Sequence, residues 1–336
     1  MSFLIRPADK KDLVELFDLA KQFTLLNMPA DKKFITSRID ESLRSFAGEA
    51  PLLERRYFFV CEDTENGNIA GCSQLIGQKG TPQNPNYSFK VLKKERFSPD
   101  LSVGFIHQIL RLKIETNGAS EVGGLVVDKA YRRRPEKVGK LISLSRFSYV
   151  GMNLDQFQDE LVAEMAPPLT DEGRSEFWEA LGRRFTGMPY QEADAISQSN
   201  KEFIRSLFPE EDIYLCLLDP KARLVLGRVG PETQPALHML EGLGFKYKNE
   251  VDPFDGGPHL TVPTKEISVI KNGGWATLVD QSMEPFSQMG IVAKNRPFAC
   301  CYSAYHIENG QIFLPEKTKT LLSVGSGDRL YFTPTV

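Results

Sequence analysis

The chain has 336 residues, enough for a sizeable core and for two or three subdomains. Its 41 basic and 44 acidic residues leave a formal charge of −3. That balance argues against nucleic acid or an anionic membrane as partner, since both need a net basic face. The composition, 41% hydrophobic and 25% charged, is that of an ordinary globular protein. No run approaches the ~18 apolar residues of a membrane span. The opening Met1–Arg6 carries no apolar core of a secretion signal, so a cytoplasmic protein is expected. Cys61, Cys72, Cys216, Cys300 and Cys301 are odd in number and form no C-x-x-C pair, which predicts free thiols and no metal site.

In chain order, Phe3 to Arg6 predicts a short strand ended by Pro7, and Asp9 or Asp12 predicts the cap of a helix carrying Leu13, Phe17 and Ala20. Ile35, Ile39, Leu43 and Phe46 repeat at helical spacing. Two apolar runs around Glu65-Asn66-Gly67-Asn68 predict a hairpin, because an Asn-Gly pair accepts the left-handed turn that joins twisted strands. "YSFKVL", "SVGFIHQILRLKIE" and "SEVGGLVVD" read as three more strands. An amphipathic helix then runs through "GKLISLSRFSYVG". Farther on, "SEFWEALGRRF" and "PALHMLEGLGFKY" each set an amphipathic helix before a Leu-Gly and an aromatic strand start. This echo reads equally as an internal duplication or as a common helix–glycine–strand connection. After the turn "VDPFDGGPHL", short apolar runs alternate with turns to the end. The expectation is an α+β chain with a mixed, largely antiparallel sheet, divided at 1–150, 151–262 and a small β subdomain at 263–336.

The stretch "VVDKAYRRRPEKVGK" sets a strand, a cationic loop and a helix start in succession. First-turn N–H groups lack intrahelical partners and the helix dipole favours negative charge there, so an anion site is one reading. Arg132, Arg133, Arg134, Lys137 and Lys140 would add charge, and Gly139 would let the backbone approach closely. Gly123-Gly124, inside the preceding apolar strand, suggests a bulge or the close approach of another amide-bearing chain. Coenzyme A, with a diphosphate and an amide arm, suits both features. A solvated cationic loop is the alternative, while no G-x-x-x-x-G-K-[ST] nucleotide loop is present.

The strand–loop–helix resembles the acyl-CoA-binding element of the GNAT acyltransferases, with Gly139 at the second glycine and Lys137 in place of the first. The segments "FWEALGRRF", "NKEFIRSLFPEEDIY", "GRVGPETQPALHMLEGLGF" and "DPFDGGP" resemble, in that order, the arginine N-succinyltransferase family. The likeness runs over nearly the whole chain. It implies a GNAT-like fold, succinyl-CoA as co-substrate with no tightly bound cofactor, arginine or ornithine as acceptor, and a role in arginine catabolism. It puts the family's succinyl-CoA-lining leucine on Leu125. It also puts the histidine of G-x-V-H-P-x-T-x-P-A on Gly230, within Gly227–Ala236, and glycine carries no proton.

Acyl transfer to an amine needs a route for the ammonium proton and N–H donors for the oxyanion. Backbone amides of Leu125 and Val126 are candidates for the second. For the first, Glu232 lies two residues past Gly230 and His238 on the following helix; a solvated Glu232 and a structural His238 are the competing readings. His259 reads as structural. A cationic acceptor calls for carboxylates, and Asp252, Asp255 and Glu164 are the candidates. Arg183, Arg184 or Arg228 would suit the succinyl carboxylate. Two functions follow: an N-acyltransferase, or an acyl-CoA-binding subunit that pairs with an active relative. Either is compatible with a homo- or hetero-oligomer. Gly230→His is expected to raise turnover if the loop accepts a side chain.

Overall fold

A computed structural model describes residues 2–22, 28–197, 200–280 and 286–335. The first third follows the predicted order. β1 (Phe3–Pro7), α1 (Leu13–Lys21), α2 (Lys32–Phe46), β2 (Arg56–Asp63) and β3 (Ile69–Ile76) precede the long hairpin β4 (Asn86–Ser98) and β5 (Val103–Glu115), and then β6 (Ser120–Val127) and α3 (Val138–Met152). Asp9 caps a short 3-10 turn ahead of α1, and Asp31 caps α2 by accepting from Phe34 N. The Asn66-Gly67 turn closes β2 onto β3, with Gly67 at φ 80°.

The second part runs β7 (Glu160–Glu164), α4 (Glu176–Ala180), α5 (Gly182–Thr186), α6 (Tyr190–Ser197), α7 (Glu202–Leu207), β8 (Ile213–Tyr214), α8 (Pro220–Val225), α9 (Gln234–Gly242), β9 (Lys246–Val251) and β10 (Pro258–Pro263). The last part is α10 (Ser268–Lys271), β11 (Gly274–Leu278), β12 (Gln288–Lys294), β13 (Ala299–Glu308), β14 (Gln311–Phe313), α11 (Glu316–Leu322) and β15 (Arg329–Pro334).

All described strands join one mixed sheet in the order β12-β15-β11-β14-β13-β1-β2-β3-β6-β7-β10-β9-β4-β5-β8. Because β12 also pairs with β13, the five C-terminal strands close a ring, hung from β1 through the pairing of Ile5 with Cys300. Hairpin β4–β5 lies beyond β9, so residues early in the chain complete the sheet of the 151–262 segment.

Helices cover both faces. α1 and α2 bury Leu16, Leu19, Ile35 and Ile39 against Phe58, Val60 and Cys72, while α3 packs on Tyr57, Phe59 and Leu75 on the opposite face. A third cluster, built on Phe89, Phe177, Trp178, Tyr190 and Phe254, fastens α4–α7 to the β4–β5 hairpin. Each core buries large aromatic area, the dominant favourable term in folding.

Two expectations change. α3 is not amphipathic in place: Val138 and all of Leu141–Val150 are buried, because α10, β12 and β15 cover the side turned away from the sheet. Its polar residues find partners there, Ser148 with Thr333 at 2.7 Å and Arg146 with the Ser143 hydroxyl at 2.8 Å. The echo of 175–185 and 235–247 also fails. α9 leads into β9, but after α4 the chain turns at Leu181 into α5 and stops at Gly187, φ 71°, with no strand. All five cysteines are free, four of them buried.

Candidate functional site

The site begins where two parallel strands separate. β6 and β7 pair only through Ser120 with Leu161 and Glu121 with Val162. Immediately afterwards β6 bulges, its register against β3 shifting between Cys72 and Gln74. Gly124 takes φ 57°, and a side chain there would meet Gln74 Cγ at 2.9 Å, so glycine is favoured. The extra residue reverses the facing of the strand: Val122 packs with α3, yet Val126 packs with α1 and α2. Arg146 of α3 supports the bulge by donating to the Gly123 carbonyl at 3.2 Å.

Between the parted strands lies a cavity of about 930 Å³ on the α2 face. Gln74, Gly123 and Gly124 line it on the β6 side. Glu164 at the end of β7, Tyr190 and Asp194 of α6, and Asp252 and Asp255 of the 252–257 turn line the far wall. The turn is self-braced. Asp252 Oδ1 accepts from Phe254 N at 2.7 Å, Asp255 Oδ1 from Gly257 N at 2.8 Å, and Gly256 supplies φ 76°.

The electrostatics are those of crowded buried charge. Burial, then repulsion from Glu164, raises the Asp252 carboxyl. Burial, then Asp252, pushes Asp255 well above the usual carboxylate range. Glu164 goes the other way: burial opposes ionisation, but Lys79 and His259 override it and hold the group at about 2. Lys79 bonds Glu164 and stands 3.2 Å from Glu121, and these carboxylates raise its pKa against the cost of burial. Lys201 is lowered by burial and by Lys79. His259 Nε2 lies 3.3 Å from Glu164 Oε1. Ligating atoms of Glu164, Asp252 and His259 fall within 4.8 Å of one another, near enough for a divalent ion, but the same Glu164 oxygen already accepts from Lys79. With a resident ammonium on that oxygen, the cluster suits an organic cation better than a metal.

The cationic loop leaves β6 on the way to α3. Tyr131 anchors it by donating to Asp63 at 3.0 Å. Arg132 Nε donates to the Val127 carbonyl, Arg134 Nε to that of Ala130, and the Arg134 guanidinium lies 4.3 Å from the Tyr131 ring centroid. Arg133 and Lys137 both adopt left-handed backbone, φ 60° and 50°, which turns the chain sharply into the first turn of α3. Lys140 is half-buried, and a Cβ on Gly139 would touch Val127 at 3.3 Å.

A family model described as arginine N-succinyltransferase beta subunit matches residues 3–269. The chain belongs to this family. It is 35% identical over 285 residues to an arginine N-succinyltransferase of Citrobacter koseri, covering 84% of this chain and 82% of the relative. An Enterobacter sp. protein of the same name is 35% identical over 298 residues, 88% of this chain and 86% of its own. Among solved structures, arginine/ornithine succinyltransferase subunit AI from Pseudomonas aeruginosa superposes with a TM-score of 0.85 at 26% identity, over 99% of this chain and 98% of that one. The fold is accordingly that of this solved relative, a mixed sheet flanked by helices.

Of the residues singled out from the sequence, Glu164, Asp252 and Asp255 converge on the cavity with Gly123-Gly124. Leu125 is half-buried beside the bulge and Val126 is buried against α1 and α2. Glu232 and His238 are exposed and lie outside the residues that line the cavity. Arg183, paired with Glu179, and Arg184 and Arg228 are exposed and also off the lining. The sequence reading did not single out Lys79, Tyr190, Asp194 or Lys201, and His259, read as structural, is buried with Nε2 beside Glu164. The one signal for His259 was its place just after the Gly256-Gly257-Pro258 turn.

Gly230 is buried against the same wall, its N–H donating to Ala166 O at 2.9 Å. A Cβ there would come within 2.9 Å of the Pro167 carbonyl oxygen. The loop therefore has no room for a side chain, and the gain of turnover expected of Gly230→His does not follow. We expect Gly230→Ala to cost about 1–3 kcal/mol in urea unfolding, the usual range for overpacking, and Gly230→His to cost at least as much. Unchanged stability in both would mean that the loop yields and the position is open.

Proposed function

We propose that the protein transfers the acyl group of an acyl-CoA, succinyl-CoA above all, to the α-amine of arginine or ornithine. The observation that carries this reading is the single cavity in which a bulged, parted β6 faces the carboxylates of Glu164, Asp252 and Asp255, in a chain of the arginine N-succinyltransferase family. In this reading the thioester arm runs along the bulge, where backbone N–H groups near Leu125 and Val126 would meet the developing oxyanion. The diphosphate would rest at the start of α3, with Arg132, Arg133, Arg134, Lys137 and Lys140 around it and Gly139 giving close approach. The acceptor's guanidinium would lie against Asp252 and Asp255, whose carboxyls are raised by burial and by neighbouring carboxylates and would be drawn toward ionisation by a cation. No tightly held cofactor enters the chemistry, because the thioester is already activated and positioning supplies much of the rate.

A thiol-release assay with succinyl-CoA and a panel of amino acids tests the reading. Arginine or ornithine should be acylated in preference to neutral amino acids of similar length. Asp252→Asn and Asp255→Asn should raise the KM of the basic acceptor by about 10-fold or more, with less change in that of succinyl-CoA. Equal rates on neutral and basic acceptors would reject the cationic site. Gly230 favours a second reading, an acyl-CoA-binding subunit without turnover; CoA binding with no acylation of any acceptor would establish it.

The pH dependence separates routes for the proton. The acceptor's ammonium is mostly protonated at neutral pH. Glu164, held at about 2, stays ionised throughout the working range and adds no inflection. Asp252 and Asp255 have raised pKa values, so cation binding strengthens as pH rises through them. All of these point the same way: kcat/KM for the acceptor should climb with pH until the amine itself is free. A plateau set by a group titrating around pH 6–7, lost in His259→Ala, would instead make His259 the base.

A further inference from the structure

Across the cavity from the acidic wall stands a basic one. Arg38 and Arg44 project from α2, and Arg56 opens β2 beside them. Glu41 meets Arg38 at 2.7 Å but stands 3.8 Å from Arg56 Nε, too far for a hydrogen bond. Arg56 is thus a half-buried guanidinium next to a second guanidinium that has taken the nearer carboxylate. Burial, and then Arg38, lowers its pKa, the mark of a cation held where another anion would be welcome.

The register gives its distance from β6. Arg56 pairs with Ile76, Ile76 with Glu121, and Gln74 with Gly123. Arg56 therefore stands two strands, roughly 10 Å, from the β6 backbone, on the same cavity face as the bulge. That gap matches a short acyl chain reaching one way and an arginine stem reaching the other. The acceptor's α-carboxylate fits less well, because it sits one carbon from the reacting nitrogen and must stay close to β6.

Resting on the acyl-transfer reading above, we propose that Arg56, assisted by Arg38 and Arg44, binds the free carboxylate of a dicarboxylic acyl group carried on CoA. The site selects against neutral acyl groups as well as for the diacid. A methyl terminus would desolvate the guanidinium pair and offer nothing in return. The cavity is then polar end to end, with one wall for the donor's anion and the other for the acceptor's cation.

The test compares succinyl-CoA with butyryl-CoA, which has the same chain with a methyl in place of the carboxylate. With arginine as acceptor, wild-type protein should prefer succinyl-CoA in kcat/KM by about 10- to 100-fold, the range of a charge-assisted contact. Arg56→Gln should erase most of that preference by lowering the succinyl rate and sparing the butyryl rate, and Arg38→Gln should do so in part. An equal fall with both donors, or a rise confined to the KM for arginine, would assign Arg56 to scaffolding or to the acceptor and overturn the proposal. Calorimetry of the two CoA esters with wild-type protein reads the same preference without turnover. Equal affinities there would refute the subsite. Preferential succinyl-CoA binding by a protein that acylates no acceptor would leave the subsite standing and refute the transferase reading alone.

Discussion

Parallel strands β6 and β7 share two paired rows and then part, and most of what this protein can do follows from that separation. A parallel ladder normally continues under helices on both faces, its backbone groups fully used. Here the bulge at Gly123-Gly124 ends the pairing, so the strand edges diverge and a cavity opens between them. Buried backbone groups must be satisfied somewhere, and one answer is visible in Arg146, drawn from the middle of α3 to the Gly123 carbonyl. The same strand feeds the cationic loop and the start of α3, so one geometric event sets both the cavity edge and the cationic turn, the two places where the proposal puts the thioester arm and the diphosphate. The covering of α3 by the C-terminal ring bears on this too, since a helix buried on every side holds Arg146 and its own first turn in place.

The second organising feature is charge held apart by structure. Asp252 and Asp255 occupy a turn braced by its own side-chain hydrogen bonds, at the entry to β10. Arg38, Arg44 and Arg56 occupy the opposite wall, and Lys79 sits between Glu121 and Glu164. Such an arrangement weakens the empty protein, because like charges are gathered on each side, half-buried at Asp252, Asp255, Arg38 and Arg56. It becomes favourable when a ligand brings the missing opposite charges. Burial and a like-charged neighbour shift the carboxyls upward at one wall and the Arg56 guanidinium downward at the other.

Local features were legible in the sequence because their causes are local. Asn66-Gly67 fixes its hairpin, Ile35 and Ile39 set the buried face of α2, and Gly123-Gly124 marks the bulge. Asp255-Gly256-Gly257 could be read as a rigid turn because Gly256 needs a positive φ. Residues joined only by tertiary pairing were not legible. Lys79 reaches Glu164 because its loop is pinned at Ala119, forty residues on, and Lys201 enters the cavity from a helical segment beyond β7. The arginines chosen for the acyl carboxylate, Arg183, Arg184 and Arg228, came from segments matching the family, yet they lie on the surface. Arg56 was invisible as the last of three charges, Glu54-Arg55-Arg56, at a strand start. The apparent repeat misled because a helix and a Leu-Gly step do not dictate a following strand; Gly187 ends α5 in a loop instead.

The central claim is that one cavity takes the acyl-CoA along the β6 bulge and the basic acceptor against the 252–257 turn. A crystal structure of the protein with CoA and arginine bound together tests it most directly. The account predicts the thiol end of CoA beside Gly124, its diphosphate at the first turn of α3, and the guanidinium within hydrogen-bonding distance of Asp252 or Asp255. Density for CoA elsewhere, or arginine bound away from those carboxylates, would contradict it.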